Sequence, residues 1–252
     1  MRGRQTVVEA VVIGRREHRE TDRVAIAYTD AFGKVPVRFG GVNRPAGKLK
    51  AVSEPMVWTE LRLYARHGAE FTTATGGSLL SSFPRIRSDF SSTLRGLEVC
   101  ELLDRLTPMW KPNPRKLRLS VECLTAMDGA AGSPGVAWLS SAYALRLFKS
   151  AGFGLREKRV SEENRALWEL LHEGPLEEIG RLPEDRDRQG RLDYLVRHSV
   201  ERIADRPLRS AELLDRIARE SASGKRREAG DAVDPKTAGT AGLPPRQATG
   251  TR

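Results

Sequence analysis

An α+β, multidomain fold is predicted: an N-terminal β-barrel, an all-α helical domain after it, and a disordered C-terminal tail. Three observations carry this. Apolar residues alternate with polar ones over the first eighty positions. From about residue 83 they recur at helical spacing, and beyond Ser221 they nearly vanish. The divisions that follow are 1–80, 81–220 and 221–252.

The strands come first. Thr6–Ile13 is β-branched and mostly apolar. Val24, Ile26 and Tyr28 alternate with small or polar residues, as do Val35, Val37 and Phe39. Between these two runs, Thr29-Asp-Ala-Phe-Gly-Lys34 has the composition of a hairpin turn, with Gly33 free to take positive φ. Val57–Arg66 alternates again, Thr59, Leu61 and Leu63 against Trp58, Glu60 and Arg62, and Phe71–Thr75 supplies a fifth strand. Five short strands with one long loop suit a small closed barrel. The OB-fold is the commonest of that size; an SH3-like barrel fits the same count. Phe39 and Tyr64 are read as core aromatics.

The helices follow. Phe90, Leu94, Leu97, Leu103 and Leu106 mark the first, with Asp89 as its cap and Pro108, Pro112 and Pro114 as its stop. Leu117, Val121 and Leu124 mark a second, closed by the glycine-rich stretch 128–135. Leu139, Tyr143 and Leu147 mark a third, ending at Gly152. Leu167, Leu170 and Leu171 belong to a fourth, and Leu192, Leu195, Val196 and Ile203 to a fifth. Pro207 starts a last one, carrying Leu208, Leu213, Leu214 and Ile217. Such faces pack on one another. The tail beyond Ser221 has only Val233 and Leu243 as sizeable aliphatics, too little apolar surface to offset its ordering.

Charge narrows the function. The formal net charge is +10, so the surface attracts anions: nucleic acid, anionic membrane or acidic protein. No apolar run approaches the roughly 18–20 residues of a membrane span, and no signal peptide is read at the N-terminus. The two cysteines, Cys100 and Cys123, lie in helical patterns as buried residues rather than zinc ligands or a disulfide. These readings point to the cytoplasm. Four scattered histidines show no metal-ligand spacing, and no nucleophile-elbow, zincin or phosphate-loop motif occurs. Glu17, Glu20 and Asp22 are interleaved with Arg15, Arg16, Arg19 and Arg23 and read as self-neutralised surface. The chain is therefore read as a binding protein, not an enzyme, with no cofactor and no metal. The sharpest positive feature lies between Asp30 and Glu54, where Lys34, Arg38, Arg44, Lys48 and Lys50 occur with no acidic residue among them and glycines threaded between. It reads as a flexible cationic loop suited to a polyanion.

Several stretches recur in a telling order. Arg19-Glu-Thr-Asp-Arg23 follows the first strand, and Thr29–Lys34 forms a hairpin. Gly40-Gly-Val-Asn-Arg44 continues to Lys48 and Leu49, and Glu54-Pro55 makes a turn. Phe83-Pro-Arg-Ile-Arg-Ser-Asp89 precedes Glu101-Leu-Leu-Asp104 and Pro112-Asn-Pro114. Leu147–Leu155 closes a helix, and Arg206–Leu214 completes the folded length. Together these resemble the RecO family of bacterial DNA repair and recombination mediators. Two departures stand out. The four-cysteine zinc module that many family members carry is missing, since Glu157-Lys-Arg-Val160 runs almost directly into Ser161-Glu-Glu-Asn-Arg165. Gly40 and Asn43 stand where the family has a lysine and an arginine.

The resemblance implies an OB-fold followed by a helical domain that binds single- and double-stranded DNA and anneals complementary strands. It also implies help in loading RecA, with RecR, onto DNA coated by single-strand-binding protein (SSB), and a nucleoid-associated place in the cytoplasm. The DNA surface expected on it is Arg38, Arg44, Lys48 and Lys50, flanked by Lys34 and Arg23. About five phosphate contacts would give a log–log salt slope of roughly −3.5 on single strands. The acidic, apolar-ended SSB tail would need a basic-rimmed apolar pocket, for which the helical half offers Arg105, Arg115, Lys116, Arg118, Arg146 and Lys149. The alternatives are an OB-fold RNA-binding module, a nucleic-acid enzyme with an unrecognised site, and a scaffold with incidental charge.

Overall fold

Strand periodicity in the sequence becomes a five-stranded closed sheet: β1 (Arg4–His18), β2 (Asp22–Thr29), β3 (Gly33–Phe39), β4 (Val57–Ala65) and β5 (Thr72–Ser81). This computed structural model describes residues 4–45, 47–65, 70–153, 161–204, 208–210, 213, 214 and 216. The strand order around the ring is β1-β2-β3-β5-β4, with β4 returning to β1. All pairs are antiparallel except β3 and β5, which meet in parallel through Val37–Thr72 and Arg38–Thr73. The result is the predicted OB-like arrangement. Side chains with period two fill it: Val8, Ala10, Val12, Ala25, Ala27, Val35, Val37, Phe39, Leu61 and Leu63 all point inward.

The β2–β3 hairpin turns at Gly33, whose φ is +67°. A Cβ there would come within 2.2 Å of the Lys111 carbonyl oxygen, so glycine also admits the close approach of a distant segment. The fifth strand runs to Ser81, well past Thr75, and Phe71 precedes it.

The β3–β4 connection corrects the expectation of a flexible loop. Val42 and Val52 are buried in the barrel core and Leu49 packs against it. A single 3-10 turn, Ala51–Ser53, follows. Apolar residues spaced through the basic stretch tuck under the barrel, leaving the cations outside.

Seven helices are described beyond the sheet: α1 (Pro84–Ser88), α2 (Phe90–Arg105), α3 (Pro114–Gly129), α4 (Gly135–Ser150), α5 (Glu162–Glu173), α6 (Leu176–Ile179) and α7 (Arg186–Ala204). Asp89 caps α2 as predicted, accepting from the Ser92 amide at 2.7 Å. Asn113 caps α3, and Pro114 opens that helix rather than merely ending the previous one. The short helices α1 and α6 fall below the length at which periodicity is visible. Helix α4 is buried on nearly every side and packs against α2, α3, α5 and α7. At its start, Gly135 lies so close to the Gly180 carbonyl that no side chain fits.

Residues Met1–Leu214 form one compact unit. Val11, Ile13, Tyr28 and Met56 from the barrel side join the helical core, so the 1–80 and 81–220 segments share a core. A buried cluster ties α2 to α7: Arg95 pairs with Glu98 (3.0 Å) and Asp193 (2.6 Å), and Ser140 donates to Glu98. The second unit is Asp215–Arg252, in which only Arg216 is described. The expected tail 221–252, Gly154, the stretch Glu157–Val160, and Pro207 and Ile217 of the last helix lie outside the described residues.

Candidate nucleic-acid interface

Pairing register puts a row of residues on the outward face of successive strands, covered at Val24, which is 0% exposed. Arg16 of β1 stands opposite Val24 of β2, and Val24 opposite Arg38 of β3. Arg38 stands opposite Thr73 of β5, Thr73 opposite Tyr64 of β4, and Tyr64 opposite Gln5 back on β1. Paired residues share a face, so two arginines, a threonine, a tyrosine and an amide line one girdle. Arg62, exposed beside Val7, lies two residues along from Tyr64.

Arg38 is half-buried in this row, and among the described residues its Nε makes no hydrogen bond. Its charge acts on Asp22, together with that of Arg19. The Gly41 amide donates to Asp22 Oδ1 at 2.9 Å. That bond first, then the Thr21 hydroxyl and the two guanidiniums, hold the Asp22 carboxyl below its usual range against partial burial. Arg44 closes over Gly41. Arg44, Lys48 and Lys50 are exposed on the connection that leaves this edge. Close by, the His18 and Phe71 rings meet edge-on at 5.4 Å, and the Arg16 guanidinium lies 5.9 Å from the Phe71 ring centre. Cations are thus gathered beside hydrogen-bonding side chains and an open aromatic, Tyr64, which is 40% exposed.

Two of the six expected contacts are placed elsewhere. Arg23 is 4% exposed. Its guanidinium donates to Ser53 Oγ (2.8 Å), Glu54 Oε1 (2.9 Å) and Asn43 Oδ1 (3.4 Å). It binds both ends of the basic connection to the barrel, which makes it a support for that surface and hides it from a phosphate. Lys34 is 9% exposed, and its Nζ reaches Asp104 Oδ1 at 3.1 Å on α2. Strand alternation puts Lys34 on the same face as Arg38, but the helices cover that end.

Sequence reasoning also missed residues. Arg62 and Tyr64 alternate with the inward Leu61 and Leu63, so period two marked both as outward; Phe39 is core, and Tyr64 is not. Arg16 and Arg19 read from the sequence as self-neutralised, yet Arg16 joins the girdle.

Burial pushes the Cys100 and Cys123 thiols up to about 12, and both are free and buried. Among the described residues no group of three His, Cys, Asp or Glu side chains comes together, and no helix is long and apolar enough to cross a membrane.

The helical half carries a second feature. A groove of about 1170 Å³ lies between α5 and α7, floored by Leu167, Trp168, Leu171 and Leu195, with Arg191 and Arg202 exposed at its rim. Trp168 is 9% exposed, and its indole N–H finds no acceptor among the described residues. Of the cations expected to serve an acidic peptide, Arg146 is spent on the Leu171 and Gly174 carbonyls and Lys116 is buried. Lys149 pairs with Glu173 and Arg105 with Glu101; Arg115 and Arg118 are exposed.

Comparison with known proteins agrees with this layout. Residues 1–83 match the family model described as Recombination protein O N terminal, and residues 87–159 the one described as Recombination protein O C terminal. The chain is 32% identical over 126 residues to "DNA repair protein RecO" of Geobacter sulfurreducens, covering 50% of this chain and 51% of that one. It is 30% identical over 120 residues to the protein of that name in Listeria welshimeri (48% and 46%), and 28% over 130 residues to that in Salinibacter ruber (52% and 50%). The chain spans about half the length of the curated relatives it matches.

Proposed function

Because the chain belongs to the recombination protein O (RecO) family, we propose that it is a DNA repair and recombination mediator that binds single- and double-stranded DNA and anneals complementary strands. The observation that carries this reading is the outer girdle of the barrel, where Arg16, Arg38 and Tyr64 share one row and Arg44, Lys48 and Lys50 extend it. Cations on a curved strand surface follow a phosphate backbone without reading bases, and an open aromatic offers a face for stacking. Neutralising two strands at once lowers their mutual repulsion, which annealing requires. This chemistry uses no nucleophile and no metal, so the protein acts by binding rather than as an enzyme, in the cytoplasm where its DNA lies.

The same reading includes partners. With RecR, the protein helps load RecA onto SSB-coated single strands. The surface whose chemistry best fits the acidic, apolar-ended SSB tail is the α5–α7 groove, where leucines face an apolar anchor and arginines face carboxylates.

The decisive experiment is an annealing assay with complementary strands, bare and SSB-coated, across a range of salt. Accelerated annealing that weakens as salt rises supports the proposal. A strong preference for RNA of the same sequence would favour an RNA-binding module, and absence of salt-dependent DNA binding would leave only a scaffold.

A further inference from the structure

The loop between α2 and α3 presents an aromatic side chain under backbone strain. Trp110 adopts a left-handed φ of +59°, which side-chain-bearing residues rarely take. It is nonetheless 46% exposed, so burial of the indole does not offset the strain. The loop is held in place from below. The Trp110 amide donates to the Lys34 carbonyl at 2.9 Å. The Lys111 carbonyl rests on Gly33, where no Cβ would fit. Residues held in such conformations tend to cluster at functional sites.

The surroundings indicate what the indole meets. From Arg105 to Val121 the chain has five basic residues and no acidic one. Lys111, Arg115 and Arg118 are exposed, and the latter two share a face of α3 at i, i+3 spacing. The neighbouring carboxylate, Asp104, is ion-paired with Lys34. Met109, 39% exposed, adds a polarizable thioether. An apolar protein partner would use the indole but not the cations; a duplex would use the cations but not the indole. Single-stranded nucleic acid, with phosphates and open base faces, uses both.

We propose that Trp110 is a base-stacking platform for single-stranded DNA, with Lys111, Arg115 and Arg118 holding the adjoining phosphates. The inference rests on the DNA-binding reading above and extends its surface. Lys34, to which Trp110 is bonded, and Arg38 lie four residues apart on one face of β3, roughly 13 Å at strand rise. A strand that meets the girdle at Arg38 therefore has a second anchorage at the opposite end of β3.

The test uses the full chain with a labelled oligo-thymidine strand and a labelled duplex, titrated by fluorescence anisotropy at several salt concentrations. W110A should weaken single-strand binding about tenfold and leave duplex affinity unchanged. The single-strand salt slope should also stay unchanged, because no cation is removed. W110F should recover most of the loss. If the unsubstituted chain binds both DNAs and W110A binds single strands equally well, the stacking site is overturned while the DNA-binding reading stands, and the patch faces a protein instead. Equal losses on single strand and duplex would also overturn it. If the unsubstituted chain binds no DNA, the DNA-binding reading itself fails and this inference falls with it.

Discussion

Lys34 of β3 and Asp104 of α2 form a 3.1 Å ion pair that fastens the barrel to the first long helix. Lys34 stands on the same strand face as Arg38, four residues away, yet the two cations have opposite fates. The lysine is enclosed by the helices and joined to them, and the arginine stays at the uncovered end. Lys34→Met keeps the apolar stem and removes the charge-assisted bonds. It should lower stability by about 1–2 kcal/mol with the salt slope of DNA binding unchanged. Thermal denaturation and an anisotropy titration of the same variant check this together; a loss of affinity without a loss of stability would return Lys34 to the DNA surface.

Arg44 and Lys48 test the opposite case. Both are exposed on the β3–β4 connection, so reversing both to Glu should leave the melting temperature nearly unchanged. Two lost phosphate contacts should flatten the single-strand salt slope by about 1.4 and slow annealing in parallel. Binding that survives this change at low salt would move the phosphate track toward Arg16 and Arg62.

Arg23 separates support from contact. Its guanidinium holds Asn43, Ser53 and Glu54, and Glu54 also accepts from Arg15 at 2.9 Å. Arg23→Ala should cost about 2 kcal/mol and loosen the connection bearing Arg44 and Lys48. Faster hydrogen exchange at the Asn43 amide, which donates to Thr21, is the readout a plain loss of charge would not give.

These contrasts show what could be read from the sequence. Period two located the second, third and fourth strands, because inward and outward residues differ in polarity at each step, and a β-branched apolar run located the first. The Asp89 cap and the Gly33 turn were legible because each depends on local chemistry. The fates of Lys34 and Arg23 were not, since each is decided by a partner far along the chain: Asp104 for one, Ser53 and Glu54 for the other. The connection 40–56 looked flexible because glycine and charge dominate it, while Val42, Leu49 and Val52 are spaced too irregularly to announce a buried face. Trp110 was hidden among prolines that read only as a helix stop.

Asp22 predicts a pH effect. Its carboxyl sits below the usual value of 3.8, chiefly through the Gly41 amide. A lowered folded pKa contributes stability above the unfolded value, lost as pH falls through the folded one. Asp22→Asn should therefore flatten the stability profile below about pH 4. It also removes a carboxylate beside Arg38 and Arg19, so DNA affinity at neutral pH should rise by a few-fold. A fall in affinity would mean that the Asp22–Gly41 contact shapes the binding surface more than its charge opposes it.

The α5–α7 groove predicts a peptide site independent of the barrel. Arg191 and Arg202 are exposed at its rim, and the Trp168 indole N–H in its floor has no acceptor among the described residues. A synthetic acidic peptide ending in apolar residues should bind, and Arg191→Glu with Arg202→Glu should weaken it at least tenfold, since each reversal sets like charge against the peptide's carboxylates. Binding of bare DNA strands should be unaffected, because these residues belong to a different surface. Annealing of SSB-coated strands should then fall while annealing of bare strands persists. If instead the peptide's affinity drops only on substitution of Arg115 and Arg118, the tail lies on the α3 face, and the tail and the Trp110 platform compete for one surface.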